Sequence, residues 1–321
     1  MSAAADTPSP ETPSAEAQLA AMADGDKAAV ARALARLERA PEAADTLALL
    51  DAAYAAPRGQ VVGVTGPPGV GKSTLMGALI RALRGRGRSV GTIAVDPSSR
   101  RSGGALLGDR VRLLTDPDDR HCFVRSMAAR DRLGGLAELT VAGMVLMRAV
   151  YDVVLIETVG VGQSETDVAG VADTVLFCVQ PGSGDSLQFM KAGIVEIPDV
   201  AAVTKADTGP VADRALADLK GALSLSADDA AEEGRRAPAT LKLSAESGAG
   251  VDELVAALDD HWAWLRDTGD LAGKRHAQAA DWLRGALRDR HGREGLRRLG
   301  RIALEPGASP FSRLAELAAT L

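Results

Sequence analysis

The chain has 321 residues, 46% of them hydrophobic and 25% charged, with a net charge of −6. This is the composition of a globular protein with room for one large domain plus helical extensions, or for two small domains. The acidic balance argues against a general nucleic-acid binder. Two cysteines, Cys122 and Cys178, and four histidines make neither a disulfide framework nor a zinc pattern, so a reducing, cytoplasmic setting is expected.

Residues 1–15 are rich in Ala, Ser, Pro, Thr and Glu, the composition of a disordered tail. No basic segment followed by an apolar stretch opens the chain, and no apolar run reaches about 18 residues, so neither a signal peptide nor a membrane span is expected. Residues 16–57 read as an N-terminal helical extension. Leu19, Met22, Val30, Leu34 and Leu37 fit one helical face, and Leu47, Leu49 and Leu50 fit a second helix, before Pro57-Arg58-Gly59 breaks the pattern. From 58 to 268 short β-rich runs alternate with helical stretches. The runs are residues 61–64, 90–95, 153–156, 175–179, 200–203 and 241–243. Most are apolar throughout, which suits strands of a mostly parallel sheet covered by helices on both faces. The predicted class is α/β, a P-loop nucleoside-triphosphatase domain with a central sheet flanked by helices. Residues 269–321 are helical again. Seven arginines lie between 284 and 301, either a solvated helix surface or a contact surface for a second subunit or partner.

Gly66-Pro67-Pro68-Gly69-Val70-Gly71-Lys72-Ser73-Thr74 contains G-x-x-x-x-G-K-[ST] between a strand-like run and a helix-like one, the context that motif requires. The glycines let backbone N–H groups turn inward as an anion nest, and the helix N-terminus adds partial positive charge. Lys72 is placed to bridge the β- and γ-phosphates of a nucleotide, and Ser73 to bind Mg²⁺. The next strand ends in Asp96-Pro97-Ser98-Ser99, with Asp109 further on; carboxylates after sheet ends can reach the hydration shell of Mg²⁺. The strand 153–156 ends in Glu157-Thr158-Val159-Gly160-Val161-Gly162-Gln163-Ser164-Glu165. An acid at that place holds the metal or orients water, glycines such as Gly160 let the backbone approach the γ-phosphate, and Gln163 is a candidate for positioning water.

Thr204-Lys205-Ala206-Asp207 resembles the guanine-reading Asn-Lys-x-Asp of GTPases. Asp207 can accept two bonds from guanine, whereas adenine would set an acceptor against the carboxylate. The stem of Lys205 can lie along the base. Ser244-Ala245-Glu246 resembles the loop that meets the guanine carbonyl through a backbone N–H. Thr204 stands where Asn is usual; having no amide, it is expected to weaken or lose the bond from that position to the base or to the phosphate loop.

Together these residues resemble the MeaB/ArgK (MMAA-type) family of P-loop GTPases. The resemblance rests on 66–74, on 95–108 (VDPSSRRSGGALLG), on 133–135, on 157–165 (ETVGVGQSE) and on 180–193 (QPGSGDSLQFMKAG), and covers roughly residues 20–310. It implies a GTPase that binds GTP and GDP and escorts an adenosylcobalamin-dependent acyl-CoA mutase, usually methylmalonyl-CoA mutase, gating cofactor delivery and protecting the mutase. It implies that Asp96, Asp109 and Glu157 surround the metal, and that Arg112, Asp185 and Lys191 transmit nucleotide state to the mutase. It implies a homodimer joined through the C-terminal arm. No Asp-x-His-x-x-Gly pattern is present, so cobalamin is expected on the partner and not on this chain.

Two other readings are a metallochaperone GTPase, for which a His-rich stretch or Cys-x-Cys-Cys-type motif is lacking, and an ATPase linked to basic amino-acid transport, for which nothing resembles a membrane-coupling element. None of these motifs supplies an obvious arginine finger, so slow intrinsic hydrolysis is expected. Asp207→Asn is expected to shift preference from guanine toward xanthine nucleotides; comparing hydrolysis of GTP and XTP checks this, and an unchanged preference for GTP would remove Asp207 from base reading.

Overall fold

The computed structural model describes residues 13–97, 116–129, 136, 138–158, 164–182, 198–224, 236–268 and 270–321; of 96, 97, 128, 129, 164–166 and 270 it describes the backbone only. Among the described residues seven strands form one sheet: β1 (Gln60–Thr65), β2 (Val90–Pro97), β3 (Cys122–Ala129), β4 (Val153–Glu157), β5 (Thr174–Val179), β6 (Val200–Val203) and β7 (Ala239–Lys242). Their order is β3-β2-β4-β1-β5-β6-β7, and every pairing is parallel. Six strands coincide with the apolar runs of the sequence. The seventh, β3, does not read as such a run because it is an edge strand with Arg125 and Ser126 at its middle. Needing less cover than a central strand, it can carry polar residues.

Alternate residues of the central strands feed two cores. Val62, Val64, Val153, Leu155, Leu176 and Cys178 pack with Leu75 and Leu79 of α4 (Lys72–Gly85). Val61, Val154, Ile156 and Val175 face the other way, onto Met144, Val145 and Met147 of α5 (Glu138–Val150) and Val168 of α6 (Ser164–Ala169). Each such Leu or Val contributes about 1.5–3 kcal/mol when fully buried. On one flank Phe177 and Val203 pack on Leu219 of α7 (Pro210–Ser224), while α8 (Val251–Asp267) covers the α4 face through Leu254 and Leu258.

The N-terminal extension comprises three helices, two where the sequence pattern suggested one: α1 (Ala15–Ala23), α2 (Lys27–Arg39) and α3 (Ala44–Ala55). The pattern of apolar residues runs through the break because both helices bury toward the same core. The Asp26 carboxylate, however, accepts the Ala29 N–H at 2.8 Å and so caps a new helix. Of the expected tail, Ser14 caps α1 at the Ala17 N–H, and residues 1–12 lie outside the described residues.

The C-terminal arm is α9 (Asp270–Leu299), kinked at Gly292, and α10 (Pro310–Ala318). Its own core of Leu283, Leu287, Leu304 and Leu314 adjoins the N-terminal helices. Among the seven arginines, Arg290 does not point freely into solvent. It pairs with Glu42 and Glu138, each at 2.6 Å, and so ties the arm to the N-terminal extension and α5.

The root of the arm is fixed to the sheet by Asp173, which is fully buried. Its carboxylate accepts two bonds from Arg275 of α9, at 2.8 and 2.7 Å, and the Val61 N–H at 2.7 Å. Beside it, His261 of α8 lies between Thr174 Oγ1 at 2.9 Å and Asp199 at 3.2 Å. Removing one partner of a buried pair leaves the other charge without compensation. Asp173→Ala is therefore expected to lower unfolding stability by about 3–5 kcal/mol, checked by urea denaturation.

Candidate functional site

The candidate site gathers at the C-terminal ends of the central strands, where open parallel sheets bind their ligands. The chain leaves β1 toward β2 on one side, and β5 leads to β6 on the other. Gly66 turns the chain out of β1 with φ +138°, and a Cβ there would stand 2.2 Å from the Cys178 carbonyl oxygen at the end of β5. Only glycine fits that approach. Gly69 and Gly71 also have positive φ, and Gly71 is the left-handed cap from which α4 starts. The loop thereby presents backbone amides and a helix N-terminus to one point, the arrangement that binds phosphate. Val70 is buried, while Pro68, Gly69 and Thr74 are exposed.

Lys72, the first residue of α4, is buried and donates to the carbonyls of Gly66 (2.7 Å) and Pro67 (3.1 Å). The Ser73 hydroxyl donates to the buried Glu157 carboxylate at 2.7 Å across 84 residues of sequence. That contact follows from register: in the sheet Glu157 lies opposite Val64 of β1 on one side and Ala94 of β2 on the other. The Thr158 N–H donates to the Val64 carbonyl, and the Thr158 hydroxyl donates to the Thr65 hydroxyl at 3.1 Å, extending the seam between β4 and β1. Asp96 lies near the end of β2 on the same edge of the sheet. The Cys178 thiol, beneath the loop, is pushed up to about 12 by burial and stays a neutral packing group.

On the other flank, the buried Thr204 hydroxyl lies 2.7 Å from the Val70 carbonyl of the phosphate loop and 3.0 Å from that of Val179. The expected loss of the bond to the loop is thus corrected: a hydroxyl on a short stem reaches it without an amide, because the end of β6 lies close against the loop. Lys205 has φ 54°, the one non-glycine residue with positive φ among the described residues. Its ammonium donates to the Gly69 carbonyl at 3.1 Å and to Gln180 at 2.7 Å. The Ala206 N–H donates to the Leu243 carbonyl at 2.9 Å, which brings exposed Asp207 beside the loop of Ser244, Ala245 and Glu246. Within that loop Ser244 is buried, and its hydroxyl accepts the Ser247 N–H at 3.4 Å.

The structure therefore unites residues 66–74, Glu157, Thr204, Lys205, Asp207 and 244–246 along one edge. Asp109, Arg112, Gly160, Gln163, Asp185 and Lys191 lie outside the described residues, as does the side chain of Asp96. Gln180 and Thr158 received no individual role from the sequence. Their signal was position, each being next to the end of an apolar strand.

A parallel sheet with a glycine loop, a lysine and a strand-end acid at its carboxyl edge defines a P-loop nucleoside triphosphatase. The family model described as methylmalonyl Co-A mutase-associated GTPase MeaB matches residues 30–294, and the chain belongs to this family and is a GTPase. A protein of Pyrococcus abyssi named as a GTPase is 40% identical over 269 residues, 82% of this chain and 81% of that one. The GTPase ArgK of Escherichia coli is 38% identical over 226 residues (70% and 67%). The mouse methylmalonic aciduria type A homolog, mitochondrial, is 37% identical over 229 residues, 69% of this chain and 54% of that protein. Among solved structures, a LAO/AO transport system kinase aligns with TM-score 0.66 and 29% identity over 95% of this chain and 97% of that one. The hydrogenase maturation factor HypB of Archaeoglobus fulgidus aligns with TM-score 0.50 and 16% identity, over 66% of this chain and 94% of that one, a likeness of fold alone.

The Thr204 hydroxyl bond can be tested by isosteric replacement. Thr204→Val removes the O–H and deprives the Val70 carbonyl of its hydroxyl donor, whereas the Val179 carbonyl keeps the backbone N–H of residue 204; GTP affinity is expected to fall about tenfold. Thr204→Ser keeps the hydroxyl and is expected to bind as the parent does. Titration calorimetry with GTP checks both.

Proposed function

We propose that this chain hydrolyses GTP to control the loading and protection of an adenosylcobalamin-dependent acyl-CoA mutase, of which methylmalonyl-CoA mutase is the leading candidate. The observation that carries the nucleotide half is the Ser73–Glu157 hydrogen bond at the foot of the phosphate loop. The partner half is supported by the family's description and by the mouse relative's name, both of which point to methylmalonyl metabolism.

In this reading the amides of 66–71 and Lys72 hold the β- and γ-phosphates. Water attacks the γ-phosphorus, the bond to the β–γ bridging oxygen breaks, and GDP and phosphate leave. Lys72 and the N-terminus of α4 take up charge developing on the phosphate oxygens. Ser73 and Glu157 form a hard oxygen donor set that fits Mg²⁺, and Asp96 and Asp109 complete the metal's surroundings. A bound Mg²⁺ neutralises phosphate charge there. Asp207, Thr204, Lys205 and the 244–246 loop read guanine, with Gly160 beside the γ-phosphate. Gln163 places water, while Arg112, Asp185 and Lys191 pass nucleotide state to the mutase. The chain works in the cytoplasm as a homodimer joined by residues 269–321, and binds neither cobalamin nor nucleic acid itself.

The test is GTP turnover by the pure chain with and without a purified cobalamin-dependent acyl-CoA mutase, with ATP as control. Turnover is expected to be slow alone and to rise steeply with the mutase; completion of a GTPase site by a partner can be worth about 10³–10⁵-fold. Lys72→Ala is expected to abolish turnover while unfolding as the parent does. Equal hydrolysis of ATP would refute the base assignment, and turnover indifferent to the mutase would refute the partner.

A further inference from the structure

Beneath the C-terminal arm lies a chamber whose charges do not balance. Arg148 of α5 is 4% exposed, and its guanidinium makes no hydrogen bond or ion pair among the described residues. Burial, aided by the nearby charge of Arg275, pushes that guanidinium down to about 10, with Asp173 and Tyr54 opposing. It remains cationic at neutral pH. Asp173 cannot serve it fully: both of its oxygens bond Arg275, and one also takes the Val61 N–H. One buried carboxylate thus stands near two guanidinium groups and bonds only that of Arg275, and an uncompensated buried charge is costly.

Arg148, Arg275 and Tyr54 line a partly open recess of about 30 Å³, with Trp282 of α9 and Phe311 of α10 also on its wall. That volume takes a water molecule or an anion of similar size. Burial pushes the Tyr54 phenol upward, so it keeps its proton and offers an O–H donor. A cleft of about 970 Å³ between the N-terminal helices and the arm shares Trp282, Phe311, Val141 and Gln278 with the chamber, and beyond these groups its lining also carries carboxylates such as Glu38, Glu138, Asp167 and Asp281.

We propose that this chamber binds one small monovalent anionic group, a halide or the carboxylate head of a short organic acid, with Arg148 as its principal ligand. The site is separate from the nucleotide edge and does not depend on the function proposed above. It would brace α3, α5 and the arm together. Gly170 and Val171 also line it, and they directly follow α6, the helix that begins seven residues after Glu157. Filling the chamber would therefore stiffen the arm against the segment leading from the phosphate side of the sheet.

The test is thermal unfolding of the full chain at constant ionic strength in sodium gluconate, bromide, formate or butyrate. Gluconate, branched by a hydroxyl on the carbon next to its carboxylate and hydrated along its whole tail, serves as the weakly binding reference. Bromide and formate are expected to raise the midpoint saturably, by about 2–4 °C relative to gluconate. Arg148→Met, similar in length and uncharged, is expected to lose that response and to be at least as stable as the parent in gluconate. Tighter action by butyrate than by formate identifies an organic acid as the natural occupant, and equal action identifies a free anion. Tyr54→Phe, a milder change, is expected to raise the half-saturating formate concentration several-fold. Crystals of the parent grown in bromide should show an anomalous peak at the Arg148 guanidinium. Identical midpoints in all four salts, an undiminished response in Arg148→Met, or no bromide at Arg148 would overturn the proposal.

Discussion

The site depends on β1 and β4 lying side by side in parallel register. With Val64 opposite Glu157, the residues that follow β1 and those that end β4 emerge at the same level of the same edge. Ser73 and Glu157 can then meet at 2.7 Å although 84 residues separate them. Slipping that pairing by one residue would turn Glu157 toward the opposite face of the sheet and exchange the two cores beneath it. Central strands buried on both faces resist such a slip, because each residue is committed to one core or the other.

The phosphate loop is held from three sides, by the start of α4 and by the ends of β5 and β6. Lys72 braces the loop from within through the Gly66 and Pro67 carbonyls. Cys178 of β5 packs against Gly66 so tightly that no side chain fits. Thr204 and Lys205, after β6, reach the carbonyls of Val70 and Gly69. Base-side and phosphate-side residues are therefore one hydrogen-bonded unit, and a change at the base-reading segment is felt by the loop. The departure of Thr204 from the usual Asn is accommodated because the loop lies within reach of a hydroxyl.

A second set of polar contacts fastens the helical arm. Asp173 and Arg275 join α9 to β1 and β5, and Arg290 bridges to Glu42 and Glu138. The buried Asp173–Arg275 pair adds little net stability over an apolar contact, but its partners are specific, and removing either one is costly. These contacts settle where the arm lies. The excess positive charge of Arg148 is a by-product of the same cluster, since one carboxylate there cannot neutralise two arginines.

The sequence by itself determined the sheet strands that are continuous apolar runs, the loop from Gly66 to Ser73, the acid at the end of β4 and the segment from Thr204 to Asp207. Each of these is written in neighbouring residues, as a period, a composition or a short spacing. It did not disclose β3, whose edge position lets Arg125 and Ser126 interrupt the run, nor the cap at Asp26 that parts α1 from α2. It pointed to a weakened or lost bond where the Thr204 hydroxyl meets the Val70 carbonyl, and it was silent on Arg290 as an internal tie and on the cluster of Asp173, Arg148 and Arg275. Those contacts join residues roughly a hundred or more positions apart in most cases, and a hydrogen bond or ion pair exists only when the fold has brought donor and acceptor within about 3 Å. Local physics writes the elements; which side chains meet is decided by how the packed layers align.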